Sequence, residues 1–126
     1  MKVSVLIPAH NEEDNIKQTI YGVQRICSQF WPRLSWQIIV IDDGSTDNSW
    51  AEADQCAVQA LRLDKNIGKG GALRHGLQQA DGDIIMFLDA DLKHSSSEAY
   101  KLISPLINSH ADVTIAKFKP SGKPGG

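Results

Sequence analysis

The 126-residue chain is long enough for one domain with one core, and 41% hydrophobic with 22% charged residues is the balance of a globular protein. Its formal net charge of −2 excludes a global pull towards nucleic acid. No apolar run reaches the roughly 18 residues of a membrane span, and Met1-Lys2-Val3-Ser4-Val5 enters a strand without a signal-peptide pattern. A cytoplasmic location is therefore expected. Cys27 and Cys56 are isolated, with no C-x-x-C spacing, and read as reduced core thiols, a disulfide being the alternative.

Val3 to Ile7 reads as a short buried strand ended by Pro8. Asn11 is placed to cap the helix that follows, and Glu12, Glu13 and Asp14 favour its N-terminus through the dipole. Ile16, Ile20, Val23, Ile26, Cys27 and Phe30 make one helical face, which Trp31-Pro32-Arg33 ends. Gln37 to Ile41 is a second buried strand, running into Asp42-Asp43-Gly44-Ser45-Thr46-Asp47. Ser45 or Thr46 is expected to cap a short helix to about Ala57. Val58 to Leu63 is a weaker third strand, interrupted by Gln59 and Arg62. The loop Asn66-Ile67-Gly68-Lys69-Gly70-Gly71 opens a helix whose face is Ala72, Leu73, Gly76, Leu77 and Ala80.

Ile84 to Leu88 is an unbroken apolar run, the pattern of a strand buried on both faces, and it ends in Asp89-Ala90-Asp91. Ser95-Ser96-Ser97-Glu98 has capping-box spacing, with Leu102, Ile103, Leu106 and Ile107 inward in the helix after it and Pro105 kinking or splitting that helix. Ala111 to Phe118 is a fifth strand candidate, and Lys119 to Gly126 a Pro/Gly/Lys tail. Strands alternating with helices imply an α/β fold with a mainly parallel sheet, which binds ligands at the carboxyl ends of its strands. Polar signals follow three strands: Pro8-Ala9-His10-Asn11-Glu12, Asp42-Asp43-Gly44-Ser45 and Asp89-Ala90-Asp91. Right-handed crossovers bring all three to one edge.

Each motif has a plain reading beside a chemical one. Two carboxylates one residue apart suit a magnesium or manganese ion that keeps places for water and phosphate, or else form a turn with a capping Asp. An Asp after the second strand can accept from a base N–H or a ribose hydroxyl, or close an Asx-turn. Gly68-Lys69-Gly70-Gly71 allows close approach of an anion at a helix N-terminus, or is a flexible loop; it has neither P-loop nor dinucleotide-fingerprint spacing. Pro8 to Glu12 is by itself a capped helix start. His10, His75, His94 and His110 show no zinc spacing, and Trp31, Trp36 and Trp50 read as packing residues.

Taken together, "VSVLIPAHNEEDNI", "IIVIDDGSTDNS", "NIGKGGALRHGL" and "DIIMFLDADL", in that order, closely resemble the family 2 inverting glycosyltransferases of the GT-A fold. The wording "GKGGALRHG" and "DADL" is most similar to the branch containing dolichyl-phosphate mannose synthase and the polyprenyl-phosphate glucosyltransferases. The resemblance implies a Rossmann-like GT-A α/β/α sandwich over residues 1–118, an incomplete nucleotide-sugar-binding domain, with 119–126 as a tail. It implies that Pro8, Ala9 and Glu12 line the nucleotide pocket, that Asp43 contacts the base, and that Gly68 and Lys69 lie near the nucleotide. Asp89 then faces the ribose and Asp91 holds Mg2+ or Mn2+ on the pyrophosphate, with Asp89, Ala90 and Asp91 forming the D-x-D motif and both acids counted as metal ligands.

The implied activity is metal-dependent transfer of a sugar from a UDP- or GDP-linked donor, with a polyprenyl phosphate at the membrane surface as the acceptor of the narrower branch. That acceptor implies peripheral attachment at the cytoplasmic membrane face. Two departures from the family stand out. Lys93 occupies a place where that branch often has Gln, and is expected to substitute in part for metal charge. Family members also continue well beyond the equivalent of Gly126, into the part that carries the acceptor site and base. No catalytic base is identified; Asp112 reads as a turn residue. The alternative is a non-catalytic nucleotide-binding module, or one that self-associates through an exposed sheet edge. A receiver-like domain ranks low, because Pro8-Ala9-His10 follows the first strand where paired acids belong.

Overall fold

A computed structural model describes residues 1–29, 32–99 and 101. Phe30, Trp31, the inward residues Leu102, Ile103, Leu106 and Ile107 of the expected helix with Pro105, the strand candidate 111–118 with Asp112, and the 119–126 tail lie outside the described residues. The elements in order are β1 (Lys2–Ala9), α1 (Ile16–Gln29), β2 (Ser35–Asp42), α2 (Ser49–Asp54), β3 (Gln59–Arg62), α3 (Lys69–Gln79), β4 (Ile84–Phe87) and a 3-10 segment (Lys93–Ala99).

The strands form a parallel sheet in the order β3-β2-β1-β4. Lys2 to Ala9 lie in register with Ser35 to Asp42, and Val3 to Leu6 with Ile84 to Phe87. The chain first winds outward from β1 to β3, then returns to place β4 on the other side of β1. The strand order thus reverses between β1 and β4, and open parallel sheets bind ligands at the carboxyl edge of such a point.

Period-2 alternation sorts the side chains into two cores. Val3, Val5 and Ile7 of β1, Val40 of β2 and Met86 of β4 pack with Ile16, Ile20, Val23 and Ile26 of α1 and Ala53 of α2. Leu6, Ile39 and Ile41 face the other way, onto Ala72 of α3 with Leu61 and Leu73 beside it. The layering is thus α/β/α. Each fully buried α1 isoleucine contributes at most about 3 kcal/mol by area.

Four expectations are corrected. β1 does not stop at Pro8 but runs to Ala9, whose carbonyl still accepts from the Asp43 amide at 2.8 Å. Proline lost only a donor there; its fixed φ suits extended backbone. β2 is longer than Gln37–Ile41. β4 is not buried on both faces: Ile85 is 37% and Phe87 50% exposed. The reason is that α3 lies over β1 and β2, leaving that face of β4 uncovered among the described residues. The Ser95–Glu98 capping box is absorbed into the 3-10 segment, where Ser95 Oγ donates to the Leu92 carbonyl.

Both cysteines are free thiols. Burial pushes the Cys27 thiol up to about 12, so it stays protonated and unreactive at neutral pH.

Candidate functional site

The loops after β1 and β2 lock together by reciprocal side chain to backbone bonds. The Asn11 amide donates to Ser45 Oγ at 2.9 Å, and Asn11 Oδ1 accepts from the Thr46 amide at 2.9 Å. The Glu12 amide donates to Ser49 Oγ at 2.7 Å, and the Asn48 amide to Glu13 Oε2 at 3.0 Å. Asn11 is therefore not the cap of α1, and neither Ser45 nor Thr46 caps α2, whose N-cap position is Asn48. The two loops run side by side, so these side chains reach donors across the gap rather than along their own helix.

Asp47 closes the lock. Its Oδ1 accepts from the Ser49 amide and hydroxyl, and its Oδ2 from the Glu13 amide. Desolvation works against its charge, but these bonds outweigh it and hold the carboxyl below its ordinary 3.8.

At the end of β2 the two acids part. Asp42 is 1% exposed, with neither carboxylate oxygen paired among the described residues. Asp43 turns the other way: Oδ1 accepts from the Ile67 amide at 2.8 Å and Oδ2 from the Gly68 amide at 3.0 Å. Gly44 has φ +66° and lies so close to the 65–66 backbone that an added Cβ would sit 2.3 Å from the Asn66 nitrogen. The strand end and the start of α3 are thus welded. His10 Nδ1 lies 2.9 Å from the Asp43 carbonyl, which only accepts, so Nδ1 carries the proton. In the neutral ring Nε2 is left as the acceptor.

After β4 the Leu88 amide makes one more ladder bond, to the Leu6 carbonyl at 3.0 Å. Ala90 is buried between two exposed acids. Asp89 is ion-paired with Lys69 from the first turn of α3.

A cleft of about 410 Å³ opens at this edge, lined by Pro8, Ala9, His10, Glu12, Asp43, Asn66, Gly68, Lys69, Asp89, Ala90 and Asp91. Every residue nominated from the sequence lies on it. His10 and Asn66 are on it too, without having been nominated. Their signal was position: His10 sits inside the Pro8–Glu12 motif and Asn66 opens the Gly68 loop.

Glu12 titrates above its ordinary 4.5. Desolvation is the main cause; the Asn15 amide bond opposes it, Asp91 and Asp47 add repulsion, and Lys93 lowers it. Among the described residues no three His, Cys, Asp or Glu side chains close into a metal cage. The carboxylates that line the cleft are Glu12, Asp43, Asp89 and Asp91. That set fits a hard cation that takes its remaining ligands from water and phosphate.

The glycosyl transferase family 2 model matches residues 4–125. The chain belongs to this family. Among its family 2 relatives is an undecaprenyl-phosphate 4-deoxy-4-formamido-L-arabinose transferase of Proteus mirabilis, 37% identical over 82% of this chain and 33% of the relative. Another is a dolichol-phosphate mannosyltransferase of Pyrococcus furiosus, 32% identical over 98% of this chain and 35% of the relative. The chain thus spans about a third of their length.

Two solved structures share the fold. Glucosyl-3-phosphoglycerate synthase of Mycobacterium tuberculosis, crystallised with Mn2+, UDP and glucosyl-3-phosphoglycerate, matches with TM-score 0.72 and 29% identity over 85% of this chain and 40% of that one. TarS of Staphylococcus aureus matches with TM-score 0.78 and 25% identity over 100% of this chain and 38% of that one. The Rossmann-like GT-A architecture anticipated from the motifs is the one these glycosyltransferases have.

Proposed function

We propose that this family 2 chain is the donor-binding half of an inverting, divalent-metal-dependent glycosyltransferase. Its donor is a UDP- or GDP-linked sugar and its acceptor a polyprenyl phosphate. The observation that carries the reading is the cleft itself. Asp43, Gly68, Lys69, Glu12, Asp89 and Asp91 come from separate segments and meet at the point where the strand order reverses. The Mn2+ and UDP bound by the Mycobacterium synthase and the lipid-phosphate names of the sequence relatives support it.

In this reading Pro8 and Ala9 give a flat wall for the nucleoside, Asp43 receives a base N–H, and Asp89 faces the ribose. Lys69 and the amides at the start of α3 face the diphosphate. Asp91, with Asp89, would hold Mg2+ or Mn2+. Such an ion supplies neutralisation of charge on the departing diphosphate. The acceptor oxygen forms a bond to the anomeric carbon as the bond to the diphosphate breaks, on the opposite face, and the electron pair leaves on the phosphate oxygen. A phosphate acceptor is already ionised at neutral pH and needs no base from this half. The lipid acceptor puts the work at the cytoplasmic membrane face; among the described residues no helix is long and apolar enough to cross a membrane.

Calorimetry with UDP, GDP and their sugar conjugates, with and without Mn2+, tests the reading. The expected result is tighter binding with Mn2+, with that gain lost in Asp91→Ala. Affinity unchanged by both Mn2+ and Asp91→Ala would overturn it.

A further inference from the structure

We propose that Thr19, in the interior of α1, is the positioning residue for the Asp89–Asp91 turn. This inference rests on the donor-site reading. Thr19 is fully buried and makes contacts that its helix does not need. Its Oγ1 donates to the Ala90 carbonyl at 2.5 Å and accepts from the Lys93 amide at 2.8 Å. A hydroxyl has one hydrogen and two lone pairs. Its alternative acceptor, the Asn15 carbonyl one turn back, lies farther away at 3.2 Å. The hydroxyl therefore bridges the Ala90 carbonyl, between the two acids, and the Lys93 amide, two residues beyond Asp91.

Three further features make this a clamp rather than a chance contact. The Thr19 carbonyl itself accepts from Ser96 Oγ at 2.8 Å, in a fully buried setting. Gly22, three residues on along the same face of α1, has no side chain where a Cβ would sit 1.9 Å from that Ser96 oxygen. Lys93 is held at φ +56°, a conformation that a non-glycine residue keeps only when its surroundings fix it, and its amide points to Thr19.

The position matters for the chemistry. Ala90 stands between Asp89 and Asp91, and neighbouring Cα atoms are about 3.8 Å apart. Holding the Ala90 carbonyl orients the peptide that joins Ala90 to Asp91, the backbone from which the exposed Asp91 carboxylate leaves. α1 also starts just after Glu12, whose carbonyl accepts from the Ile16 amide at 2.9 Å. One helix thereby sets the spacing of Glu12 on one side of the cleft and Asp89 and Asp91 on the other.

Thr19→Val keeps the branched shape and removes the hydroxyl; Thr19→Ser keeps the hydroxyl and removes the methyl. Two readouts on the full chain test the clamp. The first is calorimetry with UDP and with GDP, with and without Mn2+. Thr19→Val is expected to lose about tenfold or more of the affinity gained with Mn2+, the usual size of an outer-shell change at a metal site, with metal-free affinity within about twofold. Thr19→Ser should retain most of the gain. The second is hydrogen exchange at the Lys93 amide, slow in the natural chain and in Thr19→Ser and fast in Thr19→Val. This readout needs no ligand.

Natural chain that binds no nucleotide more tightly with Mn2+, yet shows this exchange pattern, would sink the donor-site reading and leave the anchor standing. A full Mn2+ gain in folded Thr19→Val, an equal loss in Thr19→Ser, or Lys93 exchange alike in all three would overturn the clamp. If Thr19→Val does not fold, Ser96→Ala takes its place. It should lose about threefold or more of the Mn2+ gain, and an unchanged gain would overturn the proposal.

Discussion

Gly22→Ala should destabilise the protein, although helix propensity alone says the opposite. Alanine in a helix interior is favoured over glycine by about 1 kcal/mol. Here the new Cβ would meet Ser96 Oγ at 1.9 Å, Ser97 N at 3.1 Å and Ser96 Cβ at 3.2 Å. Ser96 can rotate its hydroxyl away, but only by giving up its bond to the Thr19 carbonyl, worth about 1 kcal/mol. The Ser97 backbone cannot rotate away, so the 3-10 segment must lift slightly off α1, and overpacking of this kind costs about 1–3 kcal/mol. The costs outweigh the helix gain by roughly 1–3 kcal/mol.

Urea unfolding followed by circular dichroism would measure this as a lower midpoint with an unchanged slope, a drop of about 1 M for a typical slope. Adding Ser96→Ala should recover part of the loss, because it removes the nearest atom, and the two changes should be clearly non-additive. A Gly22→Ala midpoint at or above that of the natural chain would refute the packing of the 93–99 segment against α1.

Three other outcomes follow from the site. Asp43→Ala leaves the Ile67 and Gly68 amides without their acceptor and should cost about 2 kcal/mol in urea unfolding, with Asp43→Asn between it and the natural chain; equal midpoints for all three would contradict the weld between β2 and α3. The folded-state pKa of Asp47 is depressed, so its stabilisation is complete above the ordinary 3.8 and is lost as pH falls through the lower folded value. The melting-temperature gap between natural chain and Asp47→Asn should therefore close in acid, and a gap as wide at about pH 3 as at about pH 7 would count against it. Glu12 is raised by desolvation, so its charged form weakens the fold at neutral pH, and stability recovers as pH falls through the raised value towards the ordinary 4.5. Glu12→Gln should raise the melting temperature at neutral pH by a margin that shrinks on acidification; a lowered melting temperature at neutral pH would contradict it.

Much of this molecule is legible from residue order. The i, i+4, i+7 pattern of Ile16, Ile20 and Val23 and the β-branched runs of β1 and β2 are local signals. Each carries its own periodicity, and alternation of strand with helix leaves few topologies. The acids and glycines that line the cleft were legible too, because parallel strands deliver their following loops to one edge whatever the side chains between them. Strand ends and caps were read less well. Asn11, Ser45 and Thr46 have the chemistry of caps, and a cap and a cross-loop bond need the same side chain. Which one forms depends on how near the other loop lies.

The sequence by itself determined the α/β alternation, the parallel sheet and the edge where Pro8, Asp43, Gly68, Asp89 and Asp91 gather. Tertiary structure alone decided the rest. It left Ile85 and Phe87 exposed among the described residues, because α3 packs mainly over β1 and β2. It gave both oxygens of Asp43 to the 67–68 amides and sent Asp42 inward. It made Thr19 an anchor, although a threonine inside an amphipathic helix reads as one more half-apolar core residue. The physical reason is that all of these depend on neighbours in space. Periodicity is a property of neighbours along the chain, whereas a hydrogen-bond partner is chosen by distance in space, between residues such as Thr19 and Ala90 that only the finished sheet brings together.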